Sequence, residues 1–160
     1  MAKPGTSTLG ALFGYAVETT AGTKPTAFTQ LTRINQIGGI NIETETIDAS
    51  ALEDLIEKTV SGRGSTGGTF SVTVNATEDT IKEWEDLISA YQTAKPSGKS
   101  VWFNTYFPGL NKSWFVVAEP PNIIPQPDVE QNSLLTIEMT LTINDYKGPG
   151  DGIEPEPKSV

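Results

Sequence analysis

The chain has 160 residues, 36% of them apolar and 19% charged, with 15 Gly and 11 Pro, a length that suits one domain around a single core. Its formal net charge of −9 disfavours a role in gripping nucleic acid, because like charges repel the phosphate backbone. It contains no Cys and no His, which excludes disulfides, thiol nucleophiles, Cys/His zinc sites and every proton-transfer scheme that runs through imidazole.

In chain order, residues 1–10, with Pro4, Gly5 and the hydroxyl run Thr6-Ser7-Thr8, are expected to form a flexible N-terminal arm. Leu12 to Glu18 reads as a strand rather than as the apolar stretch of a signal peptide, since Gly10, Gly14 and Tyr15 interrupt it. No apolar run approaches the roughly 20 residues that cross a bilayer, so no membrane is expected as partner. Phe28 to Ile34 is a second, weaker strand. After the Gly38-Gly39 turn, Ile40 to Ile47 alternates, with Ile40 and Ile42 on one face and Asn41, Glu43 and Glu45 on the other. Ala51 to Val60 reads as a short helix, and Ser61 to Gly68 is too rich in glycine to hold either element. Phe70, Val72 and Val74 then alternate cleanly with Ser71, Thr73 and Asn75.

The strongest helix signal runs from Glu78 to Ala94. Asn75 and Thr77 are candidate N-caps, and Glu78 and Asp79 suit the positive end of the helix dipole. Ile81, Trp84, Leu87, Ile88 and Tyr91 form one apolar stripe, and Pro96 and Gly98 end the element. Two aromatic strands, Val101 to Phe107 and Ser113 to Ala118, flank the turn Pro108 to Asn111. A Pro-rich crossing from Pro120 to Pro127 leads to a last strand with Leu135, Ile137, Met139, Leu141 and Ile143 inward and Thr136, Glu138, Thr140 and Thr142 outward. The composition of residues 147–160 predicts a disordered tail. Runs of strands with one helix predict a mainly β domain over residues 11–146, an antiparallel β-sandwich or open barrel with one flanking α-helix.

A search for chemistry finds none. Gly62 to Gly68 lacks the Lys and the following helix of a phosphate-binding loop. The acidic pairs Glu53-Asp54, Glu78-Asp79 and Glu83 with Asp86 fall on a loop and a solvated helix side, not in a cleft, and none has calcium-loop spacing. No enzyme activity and no cofactor or metal is therefore expected. Trp84, Trp102 and Trp114 could form an aromatic sugar platform. Trp84 fits the helix core stripe better, and Trp102, opposite Phe103 on its strand, suits a contact between subunits.

If the strands at Ile40, Phe70 and Leu135 share a sheet, one face carries Asn41, Glu43, Glu45, Ser71, Thr73, Thr136, Glu138 and Thr140, with no Lys or Arg. Such a wall repels phosphates and offers them no cation, which suits the lumen of a DNA conduit; the plain alternative is a Thr-rich β surface.

Three phrases in this order resemble the major tail (tail tube) proteins of long-tailed bacteriophages: Gly14 to Thr26 (GYAVETTAGTKPT), Ile40 to Ser50 (INIETETIDAS), and the doublet Gly67-Gly68 entering Thr69-Phe70-Ser71-Val72. The helix, aromatic hairpin and long last strand follow in the same order, so the resemblance spans roughly residues 10 to 145. It implies a β-sandwich whose copies form hexameric rings, with inner sheets joined into a barrel and rings stacked into a tube through which DNA passes without specific binding. It further implies tape measure, tail terminator and initiator proteins as partners, residence in the virion tail, and assembly in the bacterial host cytoplasm. The excursion with Asp48, Leu52, Leu55, Ile56, Arg63 and Ser65 would match the loop that touches the next subunit or ring, although the resemblance gives an extended loop where Ala51 to Val60 reads as a helix. The rival reading is a monomeric β-sandwich module that binds carbohydrate on a cell surface; a small β-rich enzyme is the third class.

Overall fold

The computed structural model describes residues 4–157. Among them lie β1 (Leu12–Val17), β2 (Thr29–Leu31), β3 (Ile34–Ile37), β4 (Glu43–Asp48), β5 (Thr59–Ser65), β6 (Thr69–Asn75), helix α1 (Glu78–Ala94), β7 (Val101–Phe107), β8 (Lys112–Glu119) and β9 (Thr136–Asp151). Seven strands form one antiparallel sheet in the order β2-β1-β7-β8-β9-β6-β3, and β4 and β5 form a separate two-stranded ribbon. The fold is mainly β, antiparallel and sandwich-like with one helix, and the sheet does not close into a barrel.

The main core follows from period-2 alternation in the strands and period-3.6 spacing in the helix. Phe70, Val72 and Val74 of β6 pair in register with Leu141, Met139 and Ile137 of β9, all buried. Trp84, Leu87 and Tyr91 of α1 pack on that layer together with Phe13, Phe103 and Val116, while Ile88 is buried and Ile81 half-buried. Thr77 caps the helix: its Oγ1 accepts the Thr80 N–H at 3.1 Å, and Thr80 Oγ1 accepts the Thr77 N–H at 2.8 Å. This reciprocal box satisfies two backbone donors that the helix leaves open, worth about 1 kcal/mol. Gly98, at φ 72°, ends the 3₁₀ turn that follows the helix.

The other face of the sheet is also covered at one end. Phe28, Trp102, Phe115 and Val117 form a second buried cluster, with Ile153 and Ala16 against it. This explains why four consecutive residues of β7, Val101 to Asn104, are all buried. It also corrects the sequence reading of Trp102, which is an interior residue here, its indole Nε1–H donating to Glu18 at 2.9 Å.

The segment from Lys147, expected to be disordered, instead continues β9 to Asp151 and then crosses the β7–β8 surface as a strap. The Ile153 carbonyl accepts from Asn104 Nδ2 at 2.6 Å, and the Ile153 N–H donates to Ser113 Oγ at 2.9 Å. Glu156 then makes a parallel bridge to Thr29, with Gln30 N–H donating to the Glu156 carbonyl at 2.7 Å. Composition misled here because two buried polar side chains elsewhere in the chain hold the segment down. Residues 158–160 of the expected tail and 1–3 of the expected arm lie outside the described residues. The described part of the arm passes close to the β7–β8 turn, where a Cβ on Gly109 would meet Thr6 Cγ2 at 2.6 Å.

Candidate assembly surfaces

The outward residues of β6 and β9 form one polar face. Register pairs Ser71 with Thr140, Thr73 with Glu138 and Asn75 with Thr136, and Gln36 of β3 joins beside Thr73. Lys and Arg are absent from these positions. Asn41, Glu43 and Glu45 are not part of this face. Asn41 precedes the ribbon, and Glu43 and Glu45 lie on β4, which pairs with β5 alone. The alternation of Ile40 to Ile47 could not reveal the partner: it marks a strand, but all six residues of β4 are exposed, Ile47 included. Leu135 likewise precedes β9 and is exposed rather than inward.

The ribbon carries the residues singled out in the excursion. Ala51 to Val60 is not helical. The chain turns between Asp48 and Thr59, and the glycine-bearing stretch Thr59–Ser65 is strand β5, paired from Asp48–Thr59 to Glu43–Ser65 with a bulge near Thr44. A ten-residue helix would lack both the length to stand alone and a surface in this chain to cover its apolar stripe. Side-chain hydrogen bonds close the turn instead. Asp48 accepts the Ser50 N–H at 2.9 Å, Asp54 accepts the Ala51 N–H at 2.8 Å, and Ser50 Oγ accepts the Lys58 N–H at 2.7 Å. Hydrogen bonds from the Ser50 and Ala51 backbones hold the Asp48 and Asp54 carboxyls below their ordinary range, and Asp54 also pairs with Lys58 at 3.0 Å.

Closing the turn this way turns the hydrophobic side chains outward. Leu52, Leu55 and Ile56 are 108%, 101% and 80% exposed, and the cross-strand pair Ile47–Val60 is half-exposed behind them. Arg63 and Ser65 lie on β5, both exposed. Five aliphatic side chains on one short ribbon form an apolar patch that nothing among the described residues covers.

A third feature had no counterpart in the sequence reading. Where the curled sheet leaves β2 and β3 apart, a cavity of about 920 Å³ opens. Phe13, Leu31, Ile34, Ile37, Trp114 and Val116 line it, and Arg33 is the one charged residue among the described residues around it. Arg33 sits at φ 56°, a left-handed conformation that bulky side chains rarely adopt, in the sharp turn from β2 to β3. Beside it, Thr32 donates from both its N–H and its Oγ1 to the Glu83 carboxylate of α1, at 3.0 and 2.8 Å. The sequence signal was the pair Thr32-Arg33 between two short β runs, visible as a turn only once β3 is known.

The three tryptophans do not form a platform. Trp84 and Trp102 are buried, and Trp114 is half-buried with its ring edge-on to Phe107. Among the described residues no group of three or more carboxylates could hold a metal ion, and no helix is long and apolar enough to cross a membrane.

No protein-family model and no curated protein sequence matches the chain. Solved structures do. A chain in the cryo-EM structure of the anti-feeding prophage baseplate, six-fold symmetrised, aligns over 94% of this chain and 98% of its own length, with a TM-score of 0.61 and 14% identity. A chain in the cryo-EM structure of the anti-feeding prophage cap, which terminates the tube, aligns over 95% of both chains, with a TM-score of 0.61 and 15% identity. At this identity the likeness is one of fold, and it extends over nearly the whole length of both partners.

Proposed function

We propose that this chain is a structural, non-catalytic subunit of a phage-type tail, which assembles into hexameric rings stacked as the tube that conducts DNA. The observation that carries this reading is the ribbon: Leu52, Leu55 and Ile56 are presented to solvent by a turn that hydrogen bonds lock in place. Burial of such side chains is worth about 1.5–3 kcal/mol each, so a chain that exposes three together gains most by covering them with another copy. The shared fold with chains of a six-fold baseplate and a tube cap supports the same reading. In the tube, the polar face with Ser71, Thr73, Thr136, Glu138 and Thr140 lines the lumen, where carboxylates and hydroxyls let a polyanion slide. Tape measure, terminator and initiator proteins are the further partners, the virion tail the location, and the host cytoplasm the place of assembly.

Negative-stain electron microscopy of the purified protein over a range of concentrations tests this. Hollow tubes or six-fold rings are expected. A monomer at every concentration would overturn the proposal.

A further inference from the structure

The apolar ribbon tip and the cavity between β2 and β3 are two open features among the described residues, and their chemistry matches. The tip reads Leu52-Glu53-Asp54-Leu55-Ile56-Glu57, and Asp54 is already engaged by Ala51 and Lys58. That leaves three exposed aliphatic side chains flanked by the carboxylates of Glu53 and Glu57, which make no ion pair among the described residues. The accessible apolar wall of the cavity is Ile34, Ile37 and Trp114, half-buried beside Gln30, Asn35 and Gln36, with one cation, Arg33, at its edge, likewise without an ion pair among the described residues. In a chain with a net charge of −9, a partly apolar opening whose single charge is positive is the natural complement of an apolar, acidic projection. At about 920 Å³ the opening has room for several aliphatic side chains.

The tip does not fill the cavity of its own chain. Ile40, three residues before β4, lies at the cavity, and six strand residues carry the tip about 20 Å further. The exposure of Leu52 and Leu55 shows directly that nothing among the described residues covers them.

We infer that the ribbon tip of one copy docks into the cavity between β2 and β3 of a second copy, with Leu52, Leu55 and Ile56 entering the apolar space and Glu53 and Glu57 facing Arg33. Projection and socket lie on different parts of the molecule, so the contact is heterologous: each copy uses its tip on one neighbour and offers its socket to another. This deepens the proposed tail function and rests on it, since it names where the exposed ribbon goes.

The absence of Cys makes the test clean. Full-length N35C, at the exposed rim of the cavity, is mixed at high concentration with full-length L55C and treated with a short bismaleimide. A covalent pair of N35C with L55C is expected in at least about fivefold excess over the pairing of L55C with S89C, on the exposed side of α1. Adding R33E to the first chain is expected to lower the yield about two- to fivefold, and adding E53K and E57K to the second to restore it. No excess over the S89C control, or loss without restoration on charge exchange, overturns the inference. Microscopy of the same samples separates the two claims. Tubes without the specific cross-link reject the socket and leave the tail function standing, whereas the specific cross-link without rings or tubes keeps the socket and counts against the tube.

Discussion

Replacing Glu18 by Gln removes a charge that the fold has enclosed at considerable cost. Glu18 is 4% exposed at the end of β1, and its carboxylate accepts the Ser100 N–H at 2.7 Å and the Trp102 indole N–H at 2.9 Å. Burial works to raise its pKa, but hydrogen bonds from the Ser100 backbone, Trp102 and the Gly22 backbone, with the positive charge of Lys147, together hold it below the ordinary glutamate value. Ser100 and Trp102 donate to different carboxylate oxygens, and Gln can keep only one of these two on its carbonyl oxygen. The other donor then faces an NH₂ group, so one charge-assisted bond is lost and a buried donor is left unmet. Together these cost about 2–4 kcal/mol, or about 5–15 °C in melting temperature for a chain of this length. The pH dependence carries the sign. A depressed folded-state pKa contributes stability that is fully present above the unfolded value, about 4.3, and is lost as pH falls through the folded value. The gap between wild type and E18Q is therefore widest at neutral pH and narrows on acidification. Urea denaturation followed by tryptophan emission, at neutral and acid pH, measures it. Equal stability at neutral pH, or a gap that does not narrow in acid, would refute the reasoning.

Two further substitutions probe other parts of the molecule. Gly14→Ala would place a Cβ 2.8 Å from both Pro155 Cβ and the Thr29 carbonyl, so the strap or β2 must move; the expected loss is about 1–3 kcal/mol, with faster hydrogen exchange at the Gln30 and Glu156 amides, and unchanged exchange would show that the strap does not depend on this approach. Glu138→Lys sits on the exposed polar face and should change stability by no more than about 0.5 kcal/mol. In assembled tubes it adds one lumen cation per subunit and should retain short DNA in a manner that salt abolishes; retention equal to wild type would remove that face from the lumen.

What could be read from the sequence was what half-buried elements write into it. β6, β9 and α1 each bury one side, so alternation in Phe70–Asn75 and Thr136–Ile143 and the stripe from Ile81 to Tyr91 gave their place and facing. Where covering was not local, the pattern misled. Trp102 looked outward because Phe103 looked inward, yet Ile153, about a third of the chain away, closes over the second face. The strap looked disordered because all its residues but Ile153 are Gly, Pro and Glu, while the bonds that hold it come from Asn104 and Ser113. Glu43 and Glu45 alternate as a sheet strand does, but register with β5 rather than with β6 is a matter of pairing, not of periodicity. The apolar tip carries helix spacing in Leu52, Leu55 and Ile56, and only the Asp48, Ser50 and Asp54 hydrogen bonds show why the turn wins. The cavity could not be read at all, since it is a gap between two strands that end in different places.

The strap has a bearing on how copies of this chain can meet. The main sheet has two terminal strands, and Glu156 is hydrogen-bonded along one of them, at Phe28 and Gln30. Of the two edges of this sheet, β3 is the one with no further strand or bridge beside it among the described residues. A sheet that can be lengthened from one side only stops after a single joining event, β3 against β3, and cannot run on into a fibre. Lengthening of the main sheet is thereby closed off after one step, and open-ended growth is left to the ribbon, whose two strands each keep one unpaired edge, and to contacts between side chains.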